Sequence, residues 1–340
     1  MQKNRTEQDM QPKSVTRRNA LAWSAGLAAL SLLPPWARAQ DNYPAKAVTL
    51  ILSFPPGAIV DNVGRKLAAA LTALWKVPVV CDNRPGAGGN LAGGIVAKAP
   101  PDGYTLLLSQ YDSMVIAKAG NASIGYDPLN DLVPVAQVGL STTLFLVNAN
   151  SPFKTFPEFI AYAKANPGKL NFGSNGHGGS YHLGIEQLNS IAKTSITHIP
   201  YKGGAPSMMD LLAGRVDAIL ASTSLAQPQL KAGKVRLLAL GSARRSPLYP
   251  GVPTIAELGN PGYDTSLGLG VFAPQGTPAA VVQKLNRDIN TALADSELRQ
   301  QLAVEGVDPT NVSQAQFHAR LTSDVNTTAS LLKQLNIRLE

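Results

Sequence analysis

From residue 43 onward the chain alternates apolar runs of strand length with longer segments whose apolar residues recur every three or four positions. Val48 to Phe54 is an apolar run of the kind that fills a strand buried on both faces. Pro55, Pro56 and Gly57 break it, Asp61 stands where a helix N-cap belongs, and Val63, Leu67, Leu71 and Leu74 follow at helical spacing. Tyr104 to Ser109 reads as another buried strand, and Leu140 to Val147 as one long strand in mid-chain. A helix is predicted over Phe156 to Ala165, capped by Thr155 and stopped by Asn166, Pro167 and Gly168. Val216 to Ala221 and Val235 to Leu240 are strands, with Ser224 to Ala232 between them, and Thr265 to Ala273 is a second long strand. Pro278 to Ala294 is an amphipathic helix burying Val281, Val282, Leu285, Ile289 and Leu293, and Ser313 to about Leu335 is helical. This alternation is the α/β pattern. Two long strands, one mid-chain and one near residue 270, imply that the chain crosses twice between two domains, the second inserted into the first. Small ligands commonly bind in such an inter-domain cleft.

One unit recurs: an apolar strand, a Gly-rich loop, then a helix. It appears at Val48 to Leu74, at Leu170 to Ile191 (N-F-G-S, then N-G-H-G-G-S-Y-H) and at Ile199 to Gly214 (I-P-Y-K-G-G-A-P-S-M-M-D-L-L-A-G). A loop running from a buried strand into a helix aims free backbone N–H groups at one point, a ready site for an anion. Three such termini in one cleft would hold a carboxylate without Lys or Arg. Taken singly, each loop is equally an ordinary strand-to-helix connection.

Composition sets the bounds. The 340 residues, 44% hydrophobic and 15% charged, suit roughly two soluble domains. The net charge is +8, and residues 1–39 carry six basic against two acidic side chains, half of the excess. No Lys/Arg stripe with interleaved aromatics marks a nucleic-acid module. Cys81 is the single cysteine, so neither an intrachain disulfide nor a Cys-based zinc site exists, and V-P-V-V-C suggests a buried small hydrophobe. Residues 1–39 read as an export signal: Arg17 and Arg18, an apolar stretch from Ala20 to Leu33, then Pro34, Pro35 and Ala37-Arg38-Ala39. The stretch is shorter than the roughly 20 residues of a membrane span. Thr16-Arg17-Arg18-Asn19-Ala20-Leu21 points to the twin-arginine route, with an ordinary secretory signal as the alternative. The mature chain is expected to begin near Gln40, in the periplasm.

Catalytic chemistry is thin. The four histidines, His177, His182, His198 and His318, show no metal-ligand spacing, so no metal and no cofactor is expected. Neither G-x-S-x-G, G-x-G-x-x-G nor a P-loop is present. Ser180 and His182 are two apart on one helix and do not face each other. Lys202 is a cleft cation or an exposed turn residue. Asp61, Asp210 and Asp217 read as caps or hinge anchors, since none has a paired carboxylate.

The ordered series Tyr43-Pro44, Phe54 to Asp61, Asp82-Asn83-Arg84-Pro85-Gly86-Ala87-Gly88-Gly89, Ala99 to Tyr104, Gly173-Ser174, His182-Leu183, Tyr201-Lys202-Gly203, Gly214 to Asp217, Pro253-Thr254 with Glu257-Leu258-Gly259, and Ala273-Pro274 with Gly276-Thr277-Pro278 resembles the tripartite tricarboxylate transporter substrate-binding receptors, the Bordetella uptake gene (Bug) family. The resemblance implies a type II periplasmic binding protein fold, two α/β lobes joined by two crossover strands: residues 40–141 and 266–340 in lobe 1, 142–265 in lobe 2. It implies a receptor, not an enzyme, that captures a small organic acid and passes it to membrane permease subunits. A sensor ectodomain as partner, or a hydrolase using Ser180 and His182, are the alternatives. The chain is expected to act as a monomer, without nucleic acid. The implied ligand contacts are Pro56, Gly57, Ala58, Ile59, Val60 and Asp61 in the first loop, Ser109 and Gln110, Ser174, Asn175, His177, Gly178, Gly179 and Ser180 in the second loop, and Tyr201. Two positions depart from the family pattern. Ala58, Ile59 and Val60 stand where a second Gly and a hydroxyl are usual, and Gly179 stands where Ser or Thr is usual. Ile59 and Val60 are therefore expected to add apolar surface, favouring an acid with a less polar or aromatic body over a tricarboxylate.

Overall fold

In the computed structural model, residues 43–335 and 337 are described; the expected export signal at residues 1–39 lies outside them. The first apolar run forms strand β1 (Val48–Leu52), followed by helix α1 (Ile59–Trp75) and strand β2 (Val79–Asn83). Helix α2 (Asn90–Ala97), strand β3 (Thr105–Gln110) and helix α3 (Asp112–Ala119) come next. Strand β4 (Leu132–Ser141) and strand β5 (Thr143–Asn148) are separated by one residue. Then come α4 (Phe156–Ala165), β6 (Asn171–Ser174), α5 (Ser180–Ala192), β7 (Thr197–Pro200), α6 (Gly204–Leu212), β8 (Ala218–Ser222), α7 (Thr223–Lys231) and β9 (Val235–Leu240). The chain returns through β10 (Leu267–Pro274), α8 (Ala279–Ala294), α9 (Ser296–Val304), β11 (Val307–Pro309) and α10 (Gln314–Gln334).

These strands make two sheets, ordered β11-β4-β10-β3-β1-β2 and β7-β6-β8-β5-β9. Within the first, β1, β2 and β3 are parallel; β6, β7 and β8 are parallel in the second. The core of the second sheet includes Phe145, Phe156, Phe159 and Phe172, with Phe145 edge-on to Phe156 and Phe159 at 5.1 and 5.2 Å. Edge-to-face rings add to their burial because the positive ring edge meets the negative face. In the first lobe Tyr111, Phe272 and Phe317 pack over Ile51 and Leu107.

Several expectations are corrected. The mid-chain strand is two strands, because the Thr142 N–H donates to the Gly306 carbonyl at 3.0 Å instead of joining a ladder. β4 pairs with β10 and β11, while β5 pairs with β8 and β9, so the break is the point at which the chain changes sheet. Leu74 is 45% exposed, since the buried face of α1 ends at Leu71. Cys81 is half-buried, because β2 is an edge strand. α9 and β11 were not foreseen, although Asp295 caps α9 by accepting from the Leu298 N–H.

The crossovers are stitched together. The Gly241 N–H donates to the Thr143 carbonyl at 2.9 Å, and the Thr265 N–H donates to the Gly241 carbonyl at 2.8 Å. The Thr143 and Thr265 hydroxyls lie 2.8 Å apart and are buried. Register then sets the geometry. Ser141, where the chain leaves the first sheet, pairs with Leu267, and Gln110 pairs with Leu269, so the carboxyl ends of β1 and β3 share the crossover edge. Ser222 pairs with Thr143, which brings the carboxyl end of β8 to that same edge of the second sheet.

A Cβ at Gly241 would lie 2.3 Å from Thr143 Oγ1 and 2.4 Å from Thr265 Oγ1. Gly241→Ala is expected to destabilise the fold by about 1–3 kcal/mol, the usual cost of overpacking. Urea unfolding of the two proteins measures it, and an unchanged midpoint would mean that the stitch yields freely.

Candidate functional site

The first loop is built by a turn and a carboxylate. The Ala58 N–H donates to the Pro55 carbonyl at 3.2 Å, and Gly57 has a φ of 81°, as the third residue of a Pro-Gly turn requires. Asp61 is not the N-cap. That position belongs to Ala58, which offers no side-chain acceptor. Asp61 sits in the first turn, 4% exposed, and its carboxylate accepts from the Gly57 N–H at 2.9 Å and Asn83 Nδ2 at 2.9 Å, with Arg65 at 2.8 Å. Burial works to raise its pKa, but the Arg65, Gly57 and Asn83 hydrogen bonds prevail and hold it below the ordinary carboxylate value. Asp61 therefore fastens the loop to β2 and α1.

Val60 is fully buried and Ile59 is 7% exposed, both facing the core. This removes the apolar cleft surface expected of them; the start of α1 offers a ligand its backbone N–H groups. Pro56 and Gly57 are exposed and Ala58 is half-buried. Ser53, just after β1, was not singled out from the sequence. It is buried, and its hydroxyl has no hydrogen-bond partner. Ser109 is buried with its hydroxyl 3.2 Å from the Gln110 carbonyl, and Gln110 is half-buried.

The second loop follows β6. The Ser174 hydroxyl donates to the Gly176 carbonyl and accepts from the Gly176 N–H, both at 3.1 Å. α5 begins at Ser180 with Gly179 as N-cap and no side-chain cap. Gly179 has a φ of −76°, open to any residue, so the reason for glycine is space: a Cβ would lie 2.8 Å from Asn175 Oδ1. Asn175 and the missing hydroxyl at 179 thus go together, and that Oδ1 is buried without a partner. Ser180 lines a separate cavity of about 250 Å³ with Asp112, Thr265 and Arg320. Burial raises the Asp112 carboxyl to about 7, although the Gly268 N–H donates to it. The third helix, α6, also starts uncapped, at Gly203. Tyr201 is half-buried and donates its hydroxyl to Asp210 at 2.7 Å, so that donor is already engaged. Lys202 is exposed.

Sequence spacing suggested no histidine cluster, yet the fold makes one. His177, from the loop, His182, in the first turn of α5, and His198, on β7, offer ring nitrogens within 4.8 Å of one another. The His182 and His198 rings are stacked at 3.8 Å, and His177 lies 4.8 Å from His182. Such a trio suggests a metal, but the hydrogen bonding argues against it. His182 Nδ1 accepts from the Gly178 N–H at 3.0 Å, so the neutral ring carries its proton on Nε2 and has no lone pair left for an ion. Two stacked rings also point their in-plane lone pairs side by side. The same bond occupies the nitrogen that a Ser180–His182 pair would need as base.

Burial, followed by the neighbouring histidines, lowers His182 from the usual 6.5 to about 4, and His198 likewise, by burial and His177. The folded protein then binds fewer protons here than the unfolded chain. This contribution to stability is fully present above pH 6.5 and is lost as pH falls toward 4. Unfolding free energy is expected to decline between pH 6.5 and 5, less steeply in His198→Gln. Denaturant titrations at several pH values measure it; a flat profile in the wild-type chain would contradict the assignment.

Two α/β sheets joined by paired crossovers, with uncapped helix starts at their shared edge, are the architecture of a two-lobed solute-binding protein. The profile of the tripartite tricarboxylate transporter family receptors matches residues 63–337, and the chain belongs to that family, whose members are periplasmic binding proteins. It is 35% identical over 301 residues to the protein BugT of Bordetella pertussis, covering 88% of this chain and 92% of the relative. An R. palustris protein solved with adipate superposes with a TM-score of 0.78 at 32% identity, over 87% of this chain and 99% of that one. MatC from Rhodopseudomonas palustris with bound malate gives 0.73 at 30%, over 85% and 100%. Among the described residues no helix is long and apolar enough to cross a membrane.

Proposed function

We propose that the chain is a periplasmic receptor that captures a small organic carboxylate between its lobes and delivers it to the permease subunits of a membrane transporter. Lobe 1 comprises residues 40–141 and 266–340 and lobe 2 residues 142–265, and the receptor acts as a monomer. The observation that carries this reading is the set of helices α1, α5 and α6, which all start without a side-chain cap beside parallel strands. Uncapped N–H groups and the helix dipole favour an anion, and backbone donors hold it without a Lys or Arg. The contacts assigned to the ligand are the N–H groups of Ile59, Val60 and Asp61 beside the Pro56-Gly57-Ala58 turn, the Ser109–Gln110 segment, and the loop from Ser174 to Ser180 with His177. The bound adipate and malate of its relatives support a carboxylate. With Ile59 and Val60 in the core, no residue of the first loop argues for an aromatic body.

A thermal-shift screen of the mature chain, refolded free of carried-over ligand, tests this. At about 100 times its dissociation constant a true ligand adds near 2.7 kcal/mol, a shift of a few degrees. An acid is expected to stabilise where its neutral amide does not. Equal shifts from acid and amide, or none from mono-, di- and tricarboxylates alike, would refute the carboxylate anchor.

A further inference from the structure

The histidine cluster contains a proton acceptor with no counter-charge. The Ser174 hydroxyl lies 2.6 Å from His198 Nε2 and 3.1 Å from the Gly176 carbonyl, so it accepts from a protonated Nε2 while giving its own proton to Gly176. In that arrangement Nδ1 is the nitrogen left to take up a further proton. His182 is locked neutral by the opposite arrangement, since a proton on its Nδ1 would expel the Gly178 N–H. His198 can gain a proton and keep every hydrogen bond that it makes here.

No carboxylate answers that proton. β6 carries no charged side chain, and β7 carries only His198. On α5, Glu186 lies one turn beyond His182 and hydrogen-bonds Asn189. On α6, Asp210 is engaged by Tyr201 and Arg215. Lys202, between β7 and α6, is a cation. Asp112 on α3 acts on Tyr181, and the charges felt by His182 and His198 are those of histidines alone. A negative charge is invited at the uncapped start of α5, whose first turn contains His182.

We propose that His177, His182 and His198 form a subsite for an acidic group of the ligand, and that His198 takes a proton from solvent, at Nδ1, when that group binds. The bound pair is an imidazolium, stacked on the neutral His182 ring, beside a carboxylate on the α5 N-terminus. The free site stays neutral because burial disfavours the charge, and the anion restores it. Capture and proton uptake are then linked, and affinity rises as pH falls from 7.5 to 6, by up to about tenfold per pH unit for one proton taken up. This rests on the carboxylate reading above.

Isothermal titration at pH 6.5 tests it, with adipate and malate as probes, in two cationic buffers of different ionisation enthalpy so that neither competes for an anion site. The expected result is a binding heat that differs between buffers by the difference in their ionisation enthalpies times the number of protons taken up. His198→Gln should remove most of that difference. Should His198→Gln fail to fold, nitrogen-15 spectra of the wild-type imidazoles serve instead, with one ring moving to the cationic range when the probe is added. Equal heats in both buffers, or rings that stay neutral in the complex, would overturn the subsite while leaving the carboxylate receptor standing. Absence of heat with any acid would overturn the carboxylate reading and this inference with it.

Discussion

Everything in this fold that concerns a ligand depends on the paired crossovers. Thr143, Gly241 and Thr265 exchange two backbone bonds and bring their hydroxyls to 2.8 Å. Two strands tied at one point can bend together but cannot slide, so the two sheets keep a common edge. Ligands of open α/β sheets bind beyond the carboxyl ends of the strands because the following helices start there. With register fixed as it is, both lobes bring such ends to the side on which they are joined. A cleft assembled in this way needs no residue to reach across from a distant part of the chain.

Given that edge, the loops divide their labour. Some side chains hold the backbone in shape and leave its donors free. Asp61 is the clearest case: it is an acid at a helix start, where it favours the dipole, yet its oxygens are used on Gly57, Asn83 and Arg65. Ser174 does the same for the second loop, bonding both the N–H and the carbonyl of Gly176. Asn175 and Gly179 are a matched pair, one filling the space in which the other would carry a side chain. Loops held by their own side chains in this way need less ordering by a ligand, which limits the cost of binding.

Much of this was legible in the residues. The helix over Phe156 to Ala165 declared itself through Thr155, to whose cap the structure adds Glu158 reciprocally, and Pro278 to Ala294 through a full apolar stripe that is indeed buried. The Gly-rich loops point to helix starts with free backbone N–H groups, although the pattern puts an N-cap at Asp61 where the structure has Ala58. What could not be read was whatever depends on distant pairing. The break at Thr142 comes from a bond to Gly306, more than 160 residues on, so no local pattern announces it. Ile59 and Val60 looked like cleft residues because they follow the loop, but the first turn of α1 directs them into the core. The histidines carry no signature since they come from a loop, a helix and a strand that only tertiary structure brings together.

The same two facts, free N–H groups and imidazoles without an acid, bear on how such a receptor releases what it binds. A lysine or arginine in the cleft would attract anions at any pH near neutrality and would hold them by a charge that never leaves. Backbone dipoles are weaker and fixed, each helix start contributing typically 0.3–1 kcal/mol at an exposed site. An imidazole that is neutral until the anion arrives adds its charge only in the complex. Opening the lobes would then return the anion to water and the proton with it, so nothing in the empty cleft opposes departure. The Gly178–His182 bond makes this asymmetry possible, for it denies a second proton to one ring, while the Ser174 hydroxyl beside the other can accept from it.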